Sequence, residues 1–269
     1  MKLAYITNGR IPSERANAMQ TVQMCAAFAA AGAEVTLYHP ARRNPQFDGV
    51  DVWQYYGVPR AFRIQPVPCV DLFHLSGGRV WNERPVFWLQ TFTFVVSLVW
   101  LLLRSPADLY YSRDPFVLAL LALGLPHARK RMLFEAHSFP QSRIGRAFRR
   151  WALRRVKGTV TISHALEKLY VGLGLQPNSV MFEYMAAARP IIASDLPVLR
   201  EVLGDGPDGN AVLVAPDDAA SLADGLRRVL NDDNLANRLA ALVRRDVEAY
   251  TWEARARGIL KFAASETVQ

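Results

Sequence analysis

KLAYIT (Lys2–Thr7), ANAMQTVQMCAAFAAA (Ala16–Ala31) and EVTLY (Glu34–Tyr38) follow one another at the start of the chain, with a loop from Asn8 to about Arg15 and a stop at Gly32. The first and third runs are short, β-branched and aromatic. The second has the length and composition of a helix closed by glycine. Strand, loop, helix and strand over this span make a βαβ unit, whose parallel strands require a crossover and fix its right hand. Further strand-like runs at Leu109–Tyr111, Met132–Phe134 and Gly158–Ile162 each lie near a helix-like stretch. That alternation predicts a doubly wound α/β domain over residues 1–178.

Beyond Asn178 the pattern thins. A helix is expected over Val180–Ala188, a strand over Pro190–Ser194 and a turn at Asp195-Leu196-Pro197. A helix over Val198–Leu203, a strand over Ala211–Val214 and helices over Ala219–Leu230, Leu235–Tyr250 and Trp252–Ala263 follow. Two strands are few for a Rossmann-like unit, which usually has five or more, so residues 179–269 read as a shortened second domain.

Charge divides at the same place: 22 Lys and Arg stand against 10 Asp and Glu up to Asn178, and 10 against 14 beyond it. A basic first part attracts nucleic acid, anionic lipid or phosphorylated small molecules. Zinc-ligand spacings, RNA-binding aromatic motifs and a DNA-reading helix pair are not recognisable, so nucleic acid is not the expected partner. Cys25 and Cys69 have no metal-ligand spacing and read as free thiols. No apolar leader with a cleavage site is visible at Met1–Arg10, and the expected location is cytoplasmic.

Two helical stretches bear on the membrane. VFWLQTFTFVVSLVWLLL (Val86–Leu103) is apolar almost all round and reads as a core or membrane-dipping helix. RIGRAFRRWALRRVK (Arg143–Lys157) sets arginines around Ile144, Phe148, Trp151 and Val156. Such a helix suits an anionic membrane surface, the inner face of the cell membrane for a cytoplasmic protein, and equally suits a solvated helix with one face on the core.

Six blocks carry a family likeness. IPSERANAMQTVQMCAAFAAAGAEVTLYHP (Ile11–Pro40), YYSRDP (Tyr110–Pro115), FEAHSFP (Phe134–Pro140) and TISHALEKLY (Thr161–Tyr170) resemble the acceptor-side domain of the retaining glycosyltransferases of family four. MFEYMAAARPIIASDLPVLREVL (Met181–Leu203) and GNAVLVAPDDAASLADGLRRVLND (Gly209–Asp232) resemble the end of the donor-side domain of the same family. The resemblance implies a GT-B-like fold and transfer of a sugar from a nucleotide-sugar co-substrate to a glycan or lipid-linked acceptor. It implies neither a metal nor a redox cofactor.

By the same resemblance His137 is the active-site histidine, which contacts the donor sugar and backs the charge forming at the reaction centre. Glu183 is the second Glu of a paired-Glu motif and accepts from the ribose hydroxyls, as an ionised carboxylate can. Its other reading is a helix-dipole Glu. Ser179 opens the helix before it, as a phosphate-binding N-terminus or simply an N-cap. Gly9 and Asn17 lie in the first βα loop, where open α/β sheets bind ligands, Asn17 being also a candidate N-cap. Arg113 and Asp114 end a strand and face the acceptor, or else form a turn closed by Pro115. The chain departs from the family where PNSVM (Pro177–Met181) runs straight into FEYMA, and the position eight before Glu183 is Leu175. An internal deletion is therefore expected in the donor-binding domain, and with it the alternative of a catalytically impaired, truncated homologue acting as a membrane-surface or partner-binding module.

Overall fold

The computed structural model describes residues 1–73, 80–161, 169–170, 177–178, 189–204 and 209–265. The first sheet holds β1 (Lys2–Ile6), β2 (Glu34–Pro40), β3 (Arg63–Val67), β4 (Leu109–Ser112), β5 (Met132–Ala136), β6 (Gly158–Thr161) and β7 (Pro177–Asn178). Their order is β3-β2-β1-β4-β5-β6-β7, and every pairing is parallel. This is the doubly wound order, with the reversal between β1 and β4.

Strand periodicity sorts side chains into two cores. Ala4 and Ile6 of β1, Tyr110 of β4 and Met132, Phe134 and Ala136 of β5 face one side. They meet α3 (Val80–Arg104) and α4 (Pro115–Gly124) there. Leu3, Tyr5, Leu109, Tyr111 and Leu133 face the other, against α1 (Ala16–Ala30) and α2 (Val52–Tyr56). Burial on both faces is what a parallel sheet requires, and β5 is buried at every position. The caps follow from sequence: Asp114 caps α4 with Pro115 in its first turn, and Ser142 caps α5 (Arg143–Leu153) by accepting from the Gly145 amide at 3.0 Å.

The second part pairs β8 (Ile191–Ser194) with β9 (Ala211–Val214) in parallel. Around it lie α6 (Pro197–Leu203), α7 (Ala219–Asn231) and α8 (Asp233–Asp246), followed in the chain by α9 (Trp252–Ala264). Gly225 lets α7 close on this sheet, since a Cβ there would stand 2.7 Å from Val214 Cγ1. α9 instead returns to the first sheet, where Ala256 and Ile259 join the core beside α1. Phe262 lies so near Gly158 of β6 that a Cβ would meet its ring at 2.7 Å.

Candidate functional site

Loops at the carboxyl ends of β1, β2, β4 and β5 enclose a cleft of about 500 Å³, lined among others by Gly9, Asn17, Arg113, Asp114 and His137. The five described residues singled out from sequence thus converge on one place, the point where the strand order reverses. Ser179 and Glu183 lie outside the described residues.

The centre of the site is Glu135. It sits inside the fully buried strand β5, where an unpartnered carboxylate would be expensive. Three groups satisfy it: His137 Nε2 lies 2.6 Å from Oε1, Arg255 Nη2 of α9 donates to Oε1 at 2.7 Å, and the Tyr111 hydroxyl donates to Oε2 at 2.6 Å. Burial alone would raise the carboxyl pKa; the Arg255 guanidinium, the His137 bond and the more distant Arg113 overcome it and hold the group at about 2. Burial lowers the His137 pKa, with Arg113 and Arg255 adding to that against the pull of Glu135. The ring is therefore neutral at pH 7, and Nε2, facing an ionised acceptor, carries its proton. Nδ1 is left as an acceptor lone pair.

The loop after β1 is held from beneath. Asn8 donates to Thr91 Oγ1 at 2.9 Å and accepts from Gln90 Nε2 at 3.1 Å. Gln90 and Thr91, the polar residues of the apolar stretch, are buried on this side of α3. Ser13 is clamped by the Tyr56 hydroxyl, which accepts from its amide and donates to its carbonyl, each at 2.7 Å. Asp114 accepts from the Phe116 and Val117 amides at 2.9 and 3.0 Å, which commits its charge to the start of α4, while burial raises its pKa. The expectation of a turn closed by Pro115 gives way to a ten-residue helix that begins there. Asn17 is not an N-cap: the cap position is Arg15, and Asn17 lies exposed in the first turn of α1, its carbonyl 3.5 Å from Arg113 Nη1.

Sequence reasoning missed Glu135 and Arg255. A signal for the first existed: a Glu inside MLFEA must find a cation or a proton once the strand is buried. Nothing local points to Arg255, 120 residues further along the chain.

The outer face of the molecule is unusual. Among the described residues one helix, Arg84–Arg104, is long and apolar enough to cross a membrane, with a third of it buried. Its polar Gln90 and Thr91 point inward, while Trp88, Phe92, Val96, Trp100 and Leu103 are exposed. Neither an all-round buried core helix nor a lone amphipathic one describes it. The exposed rings continue sideways: Trp88 meets Phe116 of α4 at 4.9 Å, Phe116 stacks on Phe148 of α5 at 4.6 Å, and Phe148 adjoins Trp151 at 5.9 Å. Arg104 lies over Trp100 and Arg155 over Trp151.

Comparison with known proteins agrees with this architecture. The likeness in structure extends to a sucrose-phosphate synthase from Thermosynechococcus elongatus, with a TM-score of 0.64, 15% identity and coverage of 98% of this chain and 100% of that one. The Anabaena protein HepE, solved in complex with UDP and glucose, aligns with a TM-score of 0.62 at 10% identity over 99% of this chain and 100% of its own. At these identities the likeness is one of fold. Among curated proteins, the phosphatidyl-myo-inositol mannosyltransferase of Mycobacterium tuberculosis (strain ATCC 25618 / H37Rv) is 44% identical over 84 residues, 30% of this chain and 22% of that protein. The D-inositol 3-phosphate glycosyltransferase of Frankia alni is 37% identical over 82 residues, 30% of this chain and 20% of its own. The matched stretch thus spans about a fifth of the length of these relatives. Residues 179–246 match the family described as Glycosyl transferases group 1. Residues 18–181, more than half of the chain, match Glycosyltransferase Family 4, and the chain belongs to that family.

Proposed function

We propose that the chain transfers a sugar from a nucleotide-sugar donor to a lipid-linked or cell-envelope glycan acceptor, with retention of configuration at the anomeric carbon. The observation that carries this reading is His137 at the cleft, its Nε2 2.6 Å from a buried carboxylate that Arg255 and Tyr111 also hold. Glycosyl transfer develops positive charge at the anomeric carbon as the diphosphate leaves. A neutral ring backed by an anion stabilises that charge, whereas an imidazolium would oppose it. His137 is the proposed catalytic residue; Gly9 and Asn17 border the donor, and Arg113 and Asp114 the acceptor. The nucleotide sugar is a co-substrate, and neither a metal nor a redox cofactor is assigned.

The proposed location is cytoplasmic and peripheral, at the inner face of the cell membrane. The contiguous exposed rings of α3, α4 and α5, flanked by Arg104 and the arginines of α5, support it, because indole rings and arginine stems suit the headgroup level. An internal deletion on the donor side belongs to the same proposal. It is supported by the direct run from PNSVM into FEYMA and by a second sheet of two strands among the described residues.

Thermal unfolding with millimolar UDP, GDP and their sugars tests the reading. One nucleotide is expected to raise the Tm by several degrees, since ligand at about a hundred times its Kd adds roughly 2.7 kcal/mol. A cooperative transition that no nucleotide moves would instead favour the binding-module alternative.

A further inference from the structure

Arginine side chains gather on the floor of the cleft. Arg10, Arg15, Arg42 and Arg113 all line it, and among the described residues the single carboxylate lining it is Asp114, already bound to two backbone amides. None of the four arginines forms an ion pair within 4 Å among the described residues. Arginines elsewhere do so: Arg60 pairs with Asp51, Arg227 with Asp224, Arg245 with Asp246 and Arg255 with Glu135.

Arg42 is the most telling. Its guanidinium lies 3.8 Å over the Phe73 ring, which fixes its plane. Its Nε is buried and has no hydrogen-bond partner among the described residues. Asp71, whose charge acts on Arg42, accepts from the backbone amides of Arg43 at 3.0 Å and Phe73 at 3.3 Å, and the exposed Glu14 has its pKa lowered first by its own backbone amide and also by Arg10 and Arg15. Four like charges gathered in one concavity repel one another, and a stacked, partly desolvated guanidinium with an unmade bond adds to the cost. A bound oxyanion offsets the repulsion among the four charges. Thr7, Ser13 and Asn17 share the same wall, where a polyol beside that anion would lie.

We propose that this cleft binds the phosphate group of a phosphorylated acceptor, with Arg42 and Arg113 as its principal donors and Arg10 and Arg15 completing the charge. The assignment to acceptor rather than donor rests on the functional reading above and on position: among the described residues, every one that lines the cleft lies between Thr7 and His137, and none comes from the part holding β8 and β9. The phosphate is either that of a soluble sugar phosphate or that of a lipid headgroup.

The test is binding in the absence of any nucleotide sugar, so that its failure is separate from failure of transfer. Glucose 6-phosphate and glucose are titrated into the full chain by calorimetry. Sedimentation with phosphatidylcholine vesicles, with and without phosphatidylglycerol, forms the second arm. The parent, Arg42→Gln/Arg113→Gln, Arg10→Gln/Arg15→Gln and the surface control Arg227→Gln are compared, each checked for a cooperative melt. If the first double variant does not fold, the second, on less buried side chains, carries the comparison.

Glucose 6-phosphate is expected to bind where glucose does not, and Arg42→Gln/Arg113→Gln to lose about a hundredfold in affinity, roughly tenfold for each charge-assisted donor pair. Arg227→Gln stays at the parent value. If the sugar phosphate is silent but phosphatidylglycerol-dependent sedimentation falls in the cleft variants, the source is the headgroup and the site stands. The proposal is overturned if glucose binds as well as its phosphate, if the cleft variants match the parent in both arms, or if UDP displaces the sugar phosphate from the cleft.

Discussion

β5 and β8 are both short parallel strands of one chain, yet β5 is buried at all five of its positions while β8 is only half-buried at all four. The difference comes from what covers them. β5 lies inside a seven-stranded sheet with helices on both faces, and the largest fully buried side chains, Tyr5, Phe28, Phe94, Tyr110, Tyr111, Phe134 and Tyr170, all belong to that part. Among the described residues β8 has β9 as its sole strand partner, and its core is the small clusters around Leu203, Val243 and Val247 and around Val229 and Leu239. A sheet buried on both faces can hold an ionised carboxylate in a fixed place; a two-stranded one is marginal without support. That is why the site is built on β5 and why α9, at the far end of the chain, returns to complete it.

The sharpest way to break this contrast is at the crossing point. Arg255→Met leaves Glu135 buried without its cation and should cost about 4 kcal/mol, seen in urea unfolding monitored by the tyrosine-rich first part. Acid comes next. Glu135 titrates at about 2 in the fold against 4.5 ordinarily, so its contribution is complete above pH 4.5 and is lost as pH falls from 4.5 towards 2. His39, depressed to about 4 from 6.5 by burial, favours the fold fully above 6.5 and loses that contribution as pH falls from 6.5 towards 4. Each is worth about 3 kcal/mol, and both belong to the first part. Hydrogen exchange against pH should therefore show the first sheet opening in acid ahead of α7 and α8, whose shifted carboxylate Asp246 is only half-buried.

Smaller effects should stay within the second part. Val243→Ala removes a fully buried side chain and is expected to cost about 2 kcal/mol, read as faster exchange in β8 and β9 with the first sheet unchanged. Asp218→Ala removes the cap that accepts from the Ala220 and Ser221 amides, and should cost about 1 kcal/mol, confined to α7 by the same measurement.

The same contrast governs what could be read from the residues alone. The opening βαβ unit, β4, β5, β6, β8 and β9 lie within a residue or two of where pattern places them, because each is a short run rich in β-branched, aromatic and other apolar residues. β3 escapes notice: Arg63, Gln65 and Pro66 spoil its pattern, and as a sheet edge it tolerates them. α4 escapes for another reason, since Pro115 marks the start of a helix as readily as a turn. Of the site, His137, Gly9, Asn17, Arg113 and Asp114 were visible, as groups following strand ends in a doubly wound order. The Glu135–Arg255 pair was not, because only the fold brings β5 and α9 together. The arginine floor was hidden similarly, its members being spread from residue 10 to residue 113.

The most direct test of the account watches the anomeric proton by NMR while the folded chain is given the nucleotide sugar that stabilises it together with a membrane lipid extract. The account predicts consumption of the donor, a product with the donor's anomeric configuration, and loss of turnover by a hundredfold or more, about 3 kcal/mol of transition-state stabilisation, in a His137→Ala chain that still melts cooperatively. Transfer that survives His137→Ala unchanged, or a product of inverted configuration, would contradict it.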